Sequence, residues 1–116
     1  MLSEEVEFYT KRILNELGVK PNLKGYRAWV EVSKYVIEKD SKHCKICNDI
    51  YPEVAKRMND TPVRVERALR TSISGEMKER IKKYFATKCS ITNGSFLGLL
   101  IQKIKELNYT ATNEKV

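Results

Sequence analysis

The break Asn59-Asp60-Thr61-Pro62, set between two short apolar periods, limits this chain more than any other feature. On its N-terminal side Val54, Ala55 and Met58 recur at helical spacing. They follow Pro52, a residue suited to the first turn of a helix because its missing N–H would have no intrahelical partner there. Asn59 and Asp60 stop that helix, Asn being the best residue after Gly for the left-handed conformation of a C-terminal cap. Thr61 then restarts the helical pattern as an N-cap, with Pro62 at the next first turn. The reading is helices near 52–58 and 62–74 joined by a three-residue turn, with Ala55 small enough for a close crossing. Two helices joined so tightly pack as a helix-turn-helix, whose second helix is free to enter a DNA major groove.

Projecting the second helix at about 100° per residue sorts its side chains into two sides. Val65, Ala68, Leu69 and Ser72 cluster on one side and must face the protein. Arg67 and Arg70 lie opposite, with Val63, Thr71 and Ser74, while Arg64 and Glu66 occupy the two flanks. Arg makes bidentate bonds to guanine O6 and N7, and a carboxylate accepts from cytosine N4. An acidic residue hinders non-specific phosphate binding, so Glu66 points towards base reading. The plainer alternative is a solvated surface helix on which Glu66 pairs with Arg70 at i,i+4.

Composition agrees with an anionic partner. The chain has 116 residues, enough for one domain, and a formal net charge of +7 with 32% charged residues. Excess Lys alone would also serve solubility. The longest apolar run, Phe96 to Ile101, is far too short to span a membrane. The opening MLSEEVEFYTKR is acidic and then mixed, unlike a signal peptide.

Three cysteines, Cys44, Cys47 and Cys89, are an odd count at irregular spacing and not a disulfide framework, which favours a cytoplasmic location. His43-Cys44-x-x-Cys47 raises zinc as an alternative, with Cys89 as a distant third thiolate. A structural zinc site normally draws four ligands from two separated pairs, and no second pair exists, so no metal is expected. One His beside two cysteines, without a glycine loop or an acidic cluster, forms no catalytic constellation and calls for no cofactor. The expectation is a non-enzymatic binding domain.

Elsewhere helical periodicity dominates. Ser3 is expected to cap a helix over roughly 4–17 with Val6, Ile13, Leu14 and Leu17 inward, ended by Gly18 and Pro21. A second helix near 24–39 turns Tyr26, Trp29, Val30, Ser33, Val36 and Ile37 inward, with Trp29 as a core anchor. Residues 39–42 form a polar break, and 43–51 read as a short helix leading into Pro52. EMKERIKKYF carries Met77, Ile81, Phe85 and Tyr84 inward and Lys78, Arg80, Lys82 and Lys83 outward. After a loop over 86–92, Thr92-Asn93-Gly94-Ser95 supplies capping residues for a last helix. Phe96, Leu97, Leu100, Ile101, Ile104 and Leu107 form its apolar side, and 108–116 reads as a polar, frayed tail. The expected architecture over 1–116 is a single all-α bundle of about six helices.

These residues resemble a known family. The segments ILNELGVKPNLKGY at 13–26, IYPEVAKRMNDTPVRVERALRTSI at 50–73 and TNGSF at 92–96 are similar to the C-terminal DNA-binding effector domain of stage 0 sporulation protein A, the response regulator that starts sporulation. The resemblance runs from about Phe8 to Leu107. It implies a six-helix bundle and a transcription regulator that reads a short G- and C-containing box in double-stranded DNA, with adjacent copies on tandem boxes. The matched base-reading positions are Arg64, Glu66 and Arg67; Arg70, Thr61, Thr71 and Lys56 are expected to hold the backbone. The resemblance also implies contact with the polymerase sigma subunit, just after the recognition helix. Two departures stand out. The 116 residues hold no receiver domain, so the chain is either an excised or a stand-alone effector domain, or its control comes from elsewhere. The segment SGEMKERIKKYFATKC and the pair Pro62-Val63 also differ from the family pattern. A protein-interaction module that kept the fold without reading DNA is the alternative.

Overall fold

A computed structural model of the chain describes residues 1–39 and 46–114. Among them, six α-helices are present and no strand: α1 (Ser3–Leu17), α2 (Lys24–Lys39), α3 (Tyr51–Arg57), α4 (Pro62–Ser72), α5 (Met77–Tyr84) and α6 (Asn93–Glu114). A π-helical turn, Ile46–Ile50, leads into α3. The all-α bundle expected from periodicity is the architecture observed. The polar break at 40–42, His43 and Cys44 lie outside the described residues, as does the side chain of Cys47.

The first helix ends where its sequence says it should. Gly18 adopts φ 89°, and its amide and that of Val19 donate to the carbonyl of Leu14 at 3.1 and 3.0 Å, closing the last turn on a residue that needs no Cβ. Its start differs from expectation by one residue. Leu2, not Ser3, is the N-cap, because Glu5 sits three residues on and its carboxylate accepts the Leu2 amide at 3.0 Å.

The core is centred on α2, which packs against α1, α3, α4 and α6. That position explains why its buried side is broader than one amphipathic stripe. Tyr26, Trp29, Val30 and Ser33 are buried as expected, and Gly25, Ala28 and Val32 are buried as well. Val36 and Ile37, nearer the open end, are only half-buried. Trp29 is completely enclosed, with its ring edge-on to Phe96 of α6 at 4.7 Å. Its indole N–H donates to the Ser72 hydroxyl of α4 at 2.9 Å, and that hydroxyl donates onward to the Leu69 carbonyl at 2.7 Å. Fully burying an unpartnered N–H costs about 1–3 kcal/mol, so this bond decides where α4 must lie on α2.

The outer elements are tied on by bonds nearer the surface. Tyr84 of α5 donates to Glu16 of α1 at 2.6 Å, which holds that carboxyl below the usual carboxylate range; burial, and then this bond, push the phenol up. Ile81 is the one buried residue of α5, while Met77, Tyr84 and Phe85 are half-buried. At the start of α6, Thr92 and Ser95 cap reciprocally. The Ser95 amide donates to Thr92 Oγ1 at 3.1 Å, and the Thr92 amide donates to Ser95 Oγ at 2.8 Å. The helix then continues through 108–114, the stretch read as a polar tail. No Gly or Pro interrupts that stretch, and Thr112 folds its hydroxyl back onto the Asn108 carbonyl at 2.8 Å.

Helices α2 and α4 approach so closely at Gly25 that a Cβ there would lie 2.4 Å from the Ala68 carbonyl oxygen and 2.5 Å from Ser72 Cβ. Both obstacles belong to the body of α4, so neither can rotate away. Gly25→Ala is therefore expected to lower stability by about 1–3 kcal/mol, the usual cost of overpacking, measured as a shifted urea midpoint. An unchanged midpoint would mean that the two helices do not meet at this distance.

Candidate nucleic-acid interface

The turn between α3 and α4 is closed by local backbone bonds and anchored by one distant ion pair. The Met58 amide donates to the Val54 carbonyl at 3.0 Å, that of Asn59 to Lys56 at 3.2 Å, and that of Asp60 to Ala55 at 2.8 Å. Asn59 takes φ 53°, the left-handed conformation expected of it. Asp60 accepts the Thr61 amide at 2.8 Å, and its carboxylate forms an ion pair with Lys24 at the start of α2. Thr61 is extended and accepts the Arg64 amide on its hydroxyl at 3.3 Å, the N-cap bond, with Pro62 opening the helix. Ala55 is buried at the crossing, as the close packing of two short helices requires.

With the turn fixed and Ser72 bonded to Trp29, the roll of α4 about its own axis is set. Val65, Leu69 and Ser72 are buried, and Ala68 is half-buried. The opposite side presents Val63, Arg67, Arg70, Thr71 and Ser74 to solvent, with Arg64 exposed on one flank and Glu66 half-exposed on the other. The helix divides two shallow grooves. One is bounded by Leu23, just before α2, and Lys24 with Arg64, Arg67 and Thr71. The other is bounded by Glu66, Arg70 and Thr71 with Lys78 and the start of α6.

The expected site residues therefore fall into three sets. Arg64 and Arg67 stand free on the first groove, with no acidic side chain engaging either guanidinium among the described residues. Glu66 and Arg70 stand on the second groove and pair with each other at 3.6 Å, the i,i+4 contact anticipated as the plainer reading. An exposed pair of this kind contributes only about 0.3–0.5 kcal/mol, so a competing partner for either group displaces it at little cost. Thr61 and Thr71 lie at the two ends of the exposed side; the Thr61 hydroxyl is committed as an acceptor, leaving its O–H to donate. Lys56 is exposed on α3, outside both grooves.

Two supporting residues come from distant sequence and had no signal within the second helix itself. Lys24 extends the positive edge of the first groove while holding Asp60. Asn93, expected only as part of a cap, donates to the Tyr51 hydroxyl at 3.0 Å and to the Glu66 backbone carbonyl at 3.3 Å. It thereby joins α6 to both helices of the motif at the turn that carries Glu66.

A capped helix pair whose second member is pinned on one side and arginine-bearing on the other, within a small basic bundle, defines a helix-turn-helix DNA-binding domain. The chain belongs to the family "Sporulation initiation factor Spo0A C terminal", which matches residues 10–104, from the middle of α1 to the middle of α6. It is a DNA-binding effector domain of the sporulation-regulator class. No helix among the described residues is long and apolar enough to cross a membrane.

The Thr61 cap is the joint between turn and second helix. Thr61→Ala is expected to cost about 1 kcal/mol in stability, and Thr61→Ser to retain most of it, because Ser keeps the accepting oxygen. Equal losses in both variants on denaturant unfolding would show that the hydroxyl does not cap α4.

Proposed function

We propose that the domain regulates transcription by reading a specific double-stranded DNA sequence, with α4 lying in the major groove. Arg64, Glu66 and Arg67 contact base edges, while Arg70, Thr61, Thr71 and Lys56 hold phosphates and set register. One observation supports this most strongly: Arg64 and Arg67 are the two cations of α4 left without an acidic partner among the described residues, on the side turned away from a fully occupied core face. Glu66 fits the same reading. Its carboxylate is held at the flank by a weak exchangeable pair, so accepting from a cytosine amine exchanges one bond for another and also frees Arg70 for the backbone.

The net charge of +7 supplies a sequence-independent attraction, which counterion release makes salt-dependent. Discrimination must come from the few side chains able to reach base edges. Binding of adjacent copies to tandem boxes belongs to this proposal, as the arrangement by which a single short reading helix gains both affinity and site length.

The proposal separates two kinds of variant. Arg67→Ala is expected to cost about 1–3 kcal/mol on the preferred duplex and to relax the preference at one base pair. Lys56→Ala is expected instead to weaken all duplexes alike and to lower the slope of log affinity against log salt by about one. A salt-titrated binding assay reads both. An unchanged base preference in the Arg67 variant would defeat its assignment as a base reader.

A further inference from the structure

Val63 lies in the first turn of α4 and is 65% exposed. The other large exposed hydrophobics among the described residues, Met1, Leu2, Phe8, Leu23 and Tyr109, all lie outside α3 and α4. Solitary exposed apolar side chains are common and by themselves carry no meaning. Val63 differs in its position. It precedes Arg67 by four residues, so the two side chains are about 40° apart around the helix and share the centre of its exposed side. Pro62 fixes the backbone just before it, and a β-branched side chain in a helix keeps one dominant χ1 rotamer. Its two methyl groups are thus held outward in a known direction, on the turn of a reading helix that comes closest to base edges.

The chemistry of the major groove leaves one apolar target there. Guanine, cytosine and adenine present donors and acceptors, whereas thymine adds a C5-methyl group. A polar base edge opposite Val63 would lose hydration without gaining a hydrogen bond, while a thymine methyl would be buried against a matching apolar surface. We propose that Val63 is a specificity-determining residue that selects thymine, through its methyl group, at a position beside the base read by Arg67. The proposal rests on α4 reading DNA and adds an apolar contact to the polar ones already assigned. It also accounts for a stiff apolar residue in an exposed first turn, where an acidic residue would complement the helix dipole.

The test uses the preferred duplex obtained by selection from random DNA and replaces its thymines one at a time by uracil, which removes only the methyl group. For the wild-type domain, one such replacement is expected to weaken binding about fourfold, the worth of one buried methyl-sized group. Val63→Ser should bind the thymine and uracil duplexes equally, and its unfolding midpoint should match the wild type because the site is exposed. Selective binding by the wild type with no uracil-sensitive position, or with equal sensitivity in Val63→Ser, would overturn the role of Val63 while leaving DNA reading intact. Failure of the wild type to prefer the selected duplex over a scrambled one would overturn the underlying reading and this inference with it.

Discussion

The hydrogen bond from Trp29 to Ser72 is the contact on which the rest of the molecule depends. An enclosed indole N–H must find a partner, and the one it finds lies on the helix that carries the exposed arginines. Ser72 satisfies it and donates its own O–H to the Leu69 carbonyl, so the relay is complete within a buried contact. Gly25 permits the approach by presenting no Cβ where α4 passes. The ring of Trp29 meanwhile stands edge-on to Phe96, so a single residue registers α2, α4 and α6 against one another. The outward direction of Arg67 follows from this buried bond, although the two residues do not touch.

The other joints pin the remaining freedoms of α4. Asp60 and Lys24 tie the turn to the start of α2, and Asn93 ties the turn of Glu66 to α6. Position, roll and tilt are therefore set by three separate contacts from two helices, α2 and α6, as presenting a rigid face to DNA requires. Among the described residues the one ion pair on the exposed side is the weak Glu66–Arg70 pair, so little must be broken when a ligand arrives. Strong interactions lie under the helix and weak ones above it. That division is what a reading surface needs: fixed geometry with uncommitted chemistry.

Much of this was legible in the sequence because it is local. The left-handed Asn59, the Thr61 cap, the Gly18 stop and the Thr92–Ser95 start each depend on residues within a few positions of one another. The inward side of α4 followed from its period, and both its buried core and its exposed arginines lie where the projection put them. What escaped were effects decided by which helix passes where. Gly25 has no meaning until α4 crosses it, and Lys24 none until the turn lies beside it. Ala28 and Val32 are buried because α2 is surrounded, a fact that no single amphipathic stripe encodes. Helix α6 runs on to Glu114 through a stretch whose polar composition suggests a tail, because no breaker residue is present there.

A basic helix held by buried contacts is proposed to read DNA sequence. Selection from a random duplex pool at moderate salt tests it most directly. Enrichment of a short motif containing G and C, recovered independently in repeated selections, is the result predicted. A pool that binds and yet stays random in sequence would contradict the claim, leaving only the charge of the domain to explain its affinity.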